Sequence, residues 1–366
     1  MDRVAIVTSG GDATGMNSAV RAATKLLRAR DTEVVGVESG YRGLVEGRFR
    51  ELALPDVEDI QRHGGTILGS ARSPAFREAS GRERALEELQ RADVDGLIVV
   101  GGNGSLTGLQ KLLADDQPGP SSPAAVGIPA SIDHDIGYTG TAIGVDTALN
   151  TIVEAADKIA DTARAFDRTF IVEVMGRKSG YLAMTSGIAA SADLVAFPEA
   201  EADADELVDA VVETATTAAA RQDRSGAALA IVAEGVDVAT EDLKARVDRR
   251  LGEIADEGGP SIDTRVTVLG HVVRGGSPSG FDRLLGSRLA RVAVEALADG
   301  RTGEMVGWML PGEPPDAARR SPADPYCWLV DLDAVIAETR RMLEGESQLV
   351  EWRARVFEEI RDVLML

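Results

Sequence analysis

Short apolar runs alternate with segments of helical periodicity through most of the chain. The strand-like runs cover residues 4–8, 33–38, 96–100, 169–175, 193–197, 228–234 and 265–270. Between them, apolar residues recur at helical spacing near 16–29, 80–92, 142–166, 203–221, 239–256 and 280–298. Strands that alternate with helices of this length are typical of βαβ units. The pattern therefore predicts an α/β fold with mostly parallel sheets.

The end of the chain has a different pattern. Residues 115–124 and 308–325 are rich in Pro, Gly and polar residues, which predicts a surface loop and an irregular connector. The segments LDAVIAETRRMLEG and QLVEWRARVFEEIRDVLML then carry apolar residues at helical spacing. We therefore predict that residues 323–366 form a helical appendage that packs on the body.

Composition narrows the class of protein. A chain of 366 residues is long enough for two lobes. The net charge of −21 argues against a nucleic-acid partner, because phosphate backbones require a basic surface. The longest apolar runs are strand-sized, and the amino terminus lacks the features of a signal peptide, so we predict a cytoplasmic protein without a membrane partner.

Metal-binding chemistry is also restricted by composition. Cys327 is the single cysteine, and the three histidines lack zinc spacing, so any metal should be a hard cation bound by oxygen. The acidic excess comes with only five lysines. This is the surface of a salt-adapted protein, although an ordinary acidic enzyme with arginine-rich composition is the alternative.

Two glycine-rich turns lie between a predicted strand and a predicted helix. They are SGGDATGMN at 9–17 and GGNGS at 101–105. In such turns the backbone amides can approach an anion, and the helix amino terminus favours negative charge. Each turn alone is equally well explained as a structural turn. Two of them at the carboxyl edge of one sheet predict a phosphate-binding edge.

Further polar residues fit the same chemistry. Arg72 lies in the Gly- and Ser-rich segment GGTILGSARSP, where it can reach a transferring phosphoryl group, although a solvated loop arginine is the alternative. In PASIDHDIG, Asp133 and Asp135 are expected on one side of an extended segment, beside Ser131. One carboxylate can then hold Mg²⁺ while the other accepts a hydroxyl proton. The alternative is a turn that caps the helix near 142.

A third polar cluster lies downstream. VMGRKSG places Arg177 in a glycine-bounded loop after a strand. Arg265, His271 and Arg274 surround a later strand, and their convergence would clamp a phosphate monoester. His271 taken alone is more simply explained as a buried imidazole.

The chain resembles the 6-phosphofructokinase family of the short bacterial type. The resemblance rests on SGGDATGMN, GGTILGSAR, GGNGSLTG, PASIDHDIG, VEVMGRKSG and VLGHVVRGGSPSGFDR, in that order. It implies two three-layer α/β/α lobes. These are a nucleotide-binding lobe over 1–144, completed by about 272–322, and a sugar-phosphate-binding lobe over 145–271.

The resemblance also implies an activity, the Mg²⁺-dependent transfer of the γ-phosphoryl group of ATP to the 1-hydroxyl of fructose 6-phosphate in glycolysis. Asp133 would be the general base, with Arg72 and Gly11 at the transferring phosphoryl group. The nucleotide would contact Gly11, Arg72, Ser73, Gly102, Asn103, Gly104 and Ser105. Mg²⁺ would be held by Asn103 and Asp135.

The acceptor sugar phosphate would contact a second set of residues. By the same resemblance these are Ser131, Ile132, Asp133, Arg168, Met175, Gly176, Arg177, Glu234, Arg265, His271 and Arg274. Arg168 and Arg265 match arginines that reach into the site of the adjacent subunit. The resemblance therefore implies a homodimer or homotetramer with shared substrate sites.

The chain departs from the family pattern at positions that leave alternatives open. Asn103 stands where the family has a metal-binding aspartate, and His134 where it has asparagine. Gly104 and Ala130 favour ATP, because pyrophosphate-dependent relatives carry aspartate and lysine there. The alternatives are a pyrophosphate-dependent enzyme, a relaxed-acceptor enzyme that uses sedoheptulose 7-phosphate, and a non-catalytic regulatory homologue.

Overall fold

The structure, a computed structural model, describes residues 1–115, 123–221, 226–310, 312 and 315–364. The described chain forms two compact units. Unit 1 contains Met1–Thr147 and Arg274–Met342, and unit 2 contains Ala148–Val273 and Leu343–Leu366. Most of the predicted loop at 115–124 and three residues of the connector at 308–325 lie outside the described residues.

The strands of the described chain are β1 (Arg3–Ser9), β2 (Glu33–Val37), β3 (Phe49–Glu51), β4 (Gly96–Gly101), β5 (Ala124–Pro129), β6 (Thr169–Val174), β7 (Leu194–Ala196), β8 (Ala228–Ala233), β9 (Thr264–Val268), β10 (Glu304–Trp308), β11 (Ala318–Arg320) and β12 (Cys327–Asp331). The predicted apolar runs coincide with β1, β2, β4, β6, β7, β8 and β9, and the described chain has further strands that were not predicted. The cores of the strands are rich in Val, Ile and Ala because both faces of each central strand are covered.

The helices also begin and end near their predicted positions. They are α1 (Met16–Arg28), α2 (Gly40–Val45), α3 (Pro74–Arg77), α4 (Ala79–Arg91), α5 (Asn103–Asp115), α6 (Val145–Phe166), α7 (Tyr181–Ala189), α8 (Ala204–Ala220), α9 (Thr240–Asp256), α10 (Gly280–Ala298), α11 (Leu332–Leu343) and α12 (Gln348–Leu364). Among the described residues, no helix has the length and apolar character needed to cross a membrane.

Unit 1 is a three-layer sandwich around an eight-stranded sheet. The strand order is β11-β12-β10-β5-β4-β1-β2-β3, and β5, β4, β1 and β2 run parallel. A Cβ on Gly96 would meet Leu297 of α10, whereas a Cβ on Gly127 would meet Leu106 of α5. Gly127 pairs with Val99, an odd number of residues from Gly96, so the two positions face opposite sides of the sheet. Helices therefore cover both faces.

Unit 2 repeats this arrangement around a parallel sheet of order β7-β8-β6-β9. Ala196 packs in a buried cluster with side chains of α8 and α9, such as Val211 and Leu243. The neighbouring Val195 points to the other face, where it approaches Gly187 of α7. The predicted α/β fold with mostly parallel sheets is confirmed.

The carboxyl-terminal segment differs from the prediction of a purely helical appendage over 323–366. β12 pairs antiparallel with β10 and extends the sheet of unit 1, so this part of the tail belongs to the body. Trp328 and Val330 are buried there. The run CWLVD is only five residues long and follows a proline-rich connector, so its sequence carried little evidence of a strand.

Candidate active site

Three of the predicted motifs follow neighbouring strand ends in unit 1. Ser9 at the end of β1 pairs with Gly101 at the end of β4, and Gly101 pairs with Pro129 at the end of β5. Because these strands are parallel, the segments 9–17, 101–105 and 129–137 begin at the same edge of the sheet. The prediction that both glycine turns lie at one edge is confirmed.

At this edge of the sheet, neighbouring atoms lie close to the positions that a side chain would occupy at Gly101 and Gly11. A Cβ on Gly101 would lie 2.4 Å from the carbonyl oxygen of Ser9 and 2.5 Å from Oγ of Ser105. A Cβ on Gly11 would lie 2.6 Å from Nη1 of Arg274, which donates a hydrogen bond of 3.0 Å to the carbonyl of Asp12. The structure thus places Arg274 directly against the first glycine turn.

The loop that carries Arg72 is tied to the same edge by polar contacts. The Asn17 amide donates to the carbonyl of His63 at 3.0 Å and accepts from the backbone N–H of Ile67 at 2.8 Å. Ser70 donates to the carbonyl of Gly10 at 2.5 Å. The backbone of the loop is therefore fixed from both sides of the first glycine turn.

A cavity of about 510 Å³ lies between these loops in unit 1, and we call it the cationic cavity. Its lining includes the predicted nucleotide residues Arg72, Ser73, Asn103, Gly104 and Ser105. It also includes Arg77 and Lys111, and no Asp or Glu. The three cations have no ion pair with any described residue. In a chain of net charge −21, three unpaired cations around one cavity mark an anion-binding site.

One wall of the cationic cavity is aromatic. The rings of Tyr41 and Phe76 stack with centroids 3.9 Å apart and an interplanar angle of 6°. The Tyr41 hydroxyl donates a hydrogen bond of 2.6 Å to the carbonyl of Ser105, and burial raises the pKa of Tyr41 above its ordinary value. The cavity therefore combines an apolar wall with cationic side chains.

The segment PASIDHDIG is a turn rather than the extended segment that was predicted. His134 has φ of +50°, in the left-handed region, so the backbone bends between the two aspartates. Exposure nevertheless alternates: Ser131, Asp133 and Asp135 are partly exposed, and the residues between them are buried. Ser131 donates a hydrogen bond of 2.8 Å to Asp135. The open side of the turn therefore carries two carboxylates and a hydroxyl.

The predicted metal ligands lie on adjacent segments. A Cβ on Gly102, next to Asn103, would lie 3.5 Å from the Ser131 side chain, which holds Asp135. The Asn103 amide oxygen accepts one hydrogen bond of 3.2 Å from Thr107. The described residues contain no cluster of three or more His, Cys, Asp or Glu suited to a metal. One carboxylate and one amide oxygen fit Mg²⁺, which takes its other ligands from water and phosphates.

In unit 2, the predicted sugar-phosphate residues meet at the carboxyl edge of the sheet. Gly176 and Arg177 follow β6, and Glu234 follows β8, where its N–H bonds to the carbonyl of Val174 at 2.8 Å. A Cβ on Gly235 would lie 2.3 Å from the carbonyl of Arg177, so the two loops are in direct contact. Arg177 is exposed and has no ion pair with any described residue, whereas Met175 is buried.

Arg168 and Arg265 lie at the other end of the same sheet. Both pair with Asp263, at 2.7 and 2.9 Å, beside the amino ends of β6 and β9. A strand such as β6 spans roughly 16 Å, so these arginines are far from Arg177 within one chain. Most of β9 lies between Arg265 and His271 along the chain, and the predicted clamp of Arg265, His271 and Arg274 stays a prediction. His271 is exposed rather than buried.

Sequence reasoning missed Arg77 and Lys111 in the cationic cavity. Both occur in helices, where an exposed cation is usually a solvated surface residue. The available signal was spacing: Asn103, Thr107 and Lys111 recur every four residues and share one face of α5. The fold and the site together define an α/β protein with an anion-binding cavity at the carboxyl edge of a parallel sheet.

Comparison with known proteins identifies the family. A family model described as phosphofructokinase matches residues 3–297, so the chain belongs to the phosphofructokinase family. A protein of Brevibacillus brevis named ATP-dependent 6-phosphofructokinase is 45% identical over 307 residues, which cover 84% of this chain and 89% of the relative. A Bacillus pumilus protein of the same name is 43% identical over equal shares.

A solved structure extends the similarity to the carboxyl-terminal region. The crystal structure of Pichia pastoris phosphofructokinase in the T-state matches with a TM-score of 0.83 and 31% identity. The match covers 99% of this chain and 39% of the Pichia chain, so this chain spans about two fifths of that larger protein.

Proposed function

We propose that this chain is an ATP-dependent 6-phosphofructokinase, which transfers the γ-phosphoryl group of ATP to the 1-hydroxyl of fructose 6-phosphate. The observation that carries the proposal is the cationic cavity, which holds three unpaired cations and an aromatic wall beside the Asp133 turn. The relatives named ATP-dependent 6-phosphofructokinase support the same activity. The donor would occupy the cavity with its base against the apolar wall and its phosphates toward the glycine turns.

Asp133 is the proposed general base. It is partly exposed on the open side of its turn, so it can accept the proton of an acceptor hydroxyl. Ser131 and Ile132 would contact the acceptor on either side. In phosphoryl transfer the protein mainly aligns groups and neutralises charge. Arg72 would supply positive charge to the transferring group, and Gly11 would allow its close approach.

Mg²⁺ would be held by Asp135 and Asn103. The ion would neutralise charge on the donor phosphates, which would supply part of its coordination. The backbone N–H groups of Asn103 and Gly104, in the first turn of α5, would also favour an anion. Ser73, at the start of α3, lines the same cavity.

The acceptor would be held by the loops of unit 2. Met175, Gly176 and Arg177 would contact the sugar phosphate, and Glu234 would bind sugar hydroxyls. Arg177 is suited to this role because its guanidinium has no ion pair with a described residue. His271 and Arg274 would hold the 6-phosphate; Arg274 presently bonds the Asp12 carbonyl through one nitrogen, which leaves further donors.

The active assembly would be a homodimer or homotetramer with shared acceptor sites. Arg168 and Arg265 are too far from Arg177 to serve the same site within one chain, so we assign them to the site of a neighbouring copy. Their surroundings suit an interface, because Phe166, which lies against Arg168, is 63% exposed and β9 is an edge strand.

Gly104 gives a direct test of the donor. A Cβ at this position would have no heavy atom within 4 Å, so the fold accommodates a side chain that would project into the cationic cavity. Gly104→Asp should lower kcat/KM for ATP by at least about tenfold, since the carboxylate repels the phosphates, and should leave the melting temperature unchanged. Gly104→Ala is the size control. Unchanged ATP kinetics in Gly104→Asp would contradict this placement of the donor.

The proposed function is tested with the purified wild-type chain. Fructose 6-phosphate and sedoheptulose 7-phosphate are each supplied with ATP or pyrophosphate, with Mg²⁺ present or removed by chelation, and product formation is measured. We expect turnover with ATP and fructose 6-phosphate that depends on Mg²⁺. Faster turnover with pyrophosphate, preference for the heptulose, or absence of turnover would each reject the proposal in favour of a stated alternative.

A further inference from the structure

Helix α12 packs inside unit 2 although it comes from the end of the chain. It contacts α7 and the short 3₁₀ helix Pro198–Ala200. The match to the family model ends at residue 297, so α12 lies outside the part of the chain that defines the family. Its contacts are made beside the loop that carries Arg177.

Arg353 of α12 is partly exposed and lies against the first turn of α7. Its guanidinium carbon lies 4.8 Å from the centroid of the Tyr181 ring, at the first residue of α7. Burial lowers the pKa of Arg353, and the charge of Glu199 opposes that shift. Partial loss of water around a guanidinium is offset by opposite charge or by an aromatic face. Its position therefore depends on Tyr181 and Glu199 together.

Glu199 is also hydrogen-bonded to the loop that carries Arg177. Its two carboxylate oxygens lie 2.9 and 2.8 Å from the backbone N–H of Gly180, the last residue of the loop. Burial raises the pKa of Glu199, while the N–H of Gly180 and the charge of Arg353 favour the ionised form. A Cβ on Gly180 would lie 2.3 Å from Cβ of Phe197, so glycine is needed at this position.

A second contact fixes α12 at the same place. Phe357 is 3% exposed and packs edge-to-face on Phe197, with ring centroids 5.1 Å apart and an interplanar angle of 88°. Phe197 immediately precedes the 3₁₀ helix that contains Glu199. Arg353 and Phe357 are four residues apart, so their two contacts lie one turn apart on the same face of α12.

The Arg177 loop contacts Gly235 through its backbone, and its last residue, Gly180, packs against Phe197 and Glu199. Gly176 has φ of +138°, and Gly180 leads into α7, so the loop between them is bounded by glycines at both ends. The side chains of Arg177 and Lys178 are exposed and have no ion pair with a described residue. The hydrogen bonds between the Gly180 N–H and Glu199 are therefore among the contacts that fix the conformation of the loop.

We infer that Arg353 is a positioning residue which, through Glu199 and Gly180, holds the Arg177 loop in the conformation that binds the sugar phosphate. Helix α12 then acts as a brace, by which we mean that its contacts support the conformation of the Arg177 loop at the proposed acceptor site. The loop-holding step stands on contacts within unit 2, and its consequence for the acceptor rests on the proposed function.

The test compares Arg353→Gln with Arg355→Gln, a matched change at an exposed position of the same helix. Hydrogen exchange is followed by mass spectrometry for a peptide over residues 176–181, and kinetics are measured for both substrates. We expect faster exchange in Arg353→Gln, and a KM for fructose 6-phosphate raised roughly 2- to 30-fold, the usual range for residues that act through others. The kcat and the KM for ATP should stay near wild type, and Arg353→Lys should recover part of the loss.

The outcomes separate this inference from the proposed function. Exchange and KM in Arg353→Gln equal to those in Arg355→Gln would overturn the inference. Phe357→Leu, which loosens the same helix without touching the charge, should give a smaller change in the same direction. A wild-type chain that is inactive on fructose 6-phosphate, but whose 176–181 exchange responds to Arg353→Gln, would reject the proposed function and retain the brace.

Discussion

At the scale of single residues, the turn that contains Asp133 carries the proposed general base and one proposed metal ligand. The bend at His134 leaves Ser131, Asp133 and Asp135 on one open side, with Asp135 bonded to Ser131. In our proposal Asp135, which accepts the Ser131 hydrogen bond, holds the metal, and Asp133 takes the proton.

Replacing the proposed base gives the first residue-scale prediction. Asp133→Ser should lower kcat by about 10²- to 10⁴-fold, the usual contribution of a general base, with little change in the KM for ATP. Steady-state kinetics at saturating Mg²⁺ measure this. Asp161→Asn, an exposed carboxylate on α6, is the control and should behave as wild type. A near-normal rate in Asp133→Ser would mean that another group takes the proton.

Asn103 gives a second prediction. Its amide oxygen can bind a cation but has no charge, and its one hydrogen-bond partner, Thr107, is a neutral hydroxyl. Asn103→Asp should therefore lower the Mg²⁺ concentration needed for half-maximal rate, without loss of kcat. Mg²⁺ titrations at fixed ATP measure this. A large fall in kcat would show that the site is built around the amide.

At the scale of elements, the carboxyl-terminal segment 323–366 adds a strand to the sheet of unit 1 in addition to its two helices. β12 extends the main sheet, and the segment that leads into it is fixed to α10 by a two-point ion pair. Arg288 contacts both carboxylate oxygens of Asp324, at 2.6 and 2.5 Å, and lies over the ring of Tyr326. The Asp324 side chain is 9% exposed, so solvent screens this pair little.

This pair predicts a pH dependence. Burial acts to raise the pKa of Asp324, but the hydrogen bonds from Arg288 and the Tyr326 N–H prevail and lower it below its ordinary 3.8. A lowered folded-state pKa adds stability above about pH 4, and this stability is lost as pH falls through the folded-state pKa. Asp324→Asn should therefore cost about 2 kcal/mol at pH 7 and progressively less below pH 4.

Urea unfolding at several pH values measures that difference. Asp316→Asn, an exposed carboxylate in the same connector, is the control and should change stability little at any pH. A loss in Asp324→Asn that is constant down to pH 3 would mean that packing, rather than charge, holds the segment.

Element by element, the sequence predicted the architecture because its signals were local. Runs of Val, Ile and Leu followed by glycine turns define β1, β4 and β6 without knowledge of their partners. β12 was missed because a short antiparallel strand after prolines depends on its pairing with β10. Arg353 could not be found for a similar reason: its role depends on Tyr181 and Glu199, which are distant in sequence.

The site was predicted unevenly for the same physical reason. Loop residues at strand ends, such as Arg72 and Gly104, were found because parallel strands place their carboxyl ends together. Helical cations such as Lys111 have no local signal apart from spacing. The bend at His134 required a left-handed backbone that nothing in the sequence demanded.

At the scale of the whole molecule, charge is the dominant property. The net charge is −21, and most ion pairs in the described chain are exposed, where each contributes little. Repulsion among the excess carboxylates should therefore outweigh the ion pairs in determining how stability responds to salt.

We expect the melting temperature to rise with KCl. Between about 0.1 M and 1 M, the screening length falls from about 10 Å to about 3 Å, which reduces the repulsion. Calorimetry across this range measures the effect, with sucrose of matched osmolality as the uncharged control. A melting temperature that falls with KCl would show that ion pairs matter more than self-repulsion.

The distance between Arg177 and the pair Arg168 and Arg265 has a genetic consequence. If each acceptor site takes its Arg177 loop from one chain and Arg168 and Arg265 from another, no single chain contains a complete acceptor site. Two inactive alleles, one damaged at Arg177 and one at Arg265, would then form mixed pairs in which one pocket is intact. Such alleles would show intragenic complementation, each supplying what the other lacks.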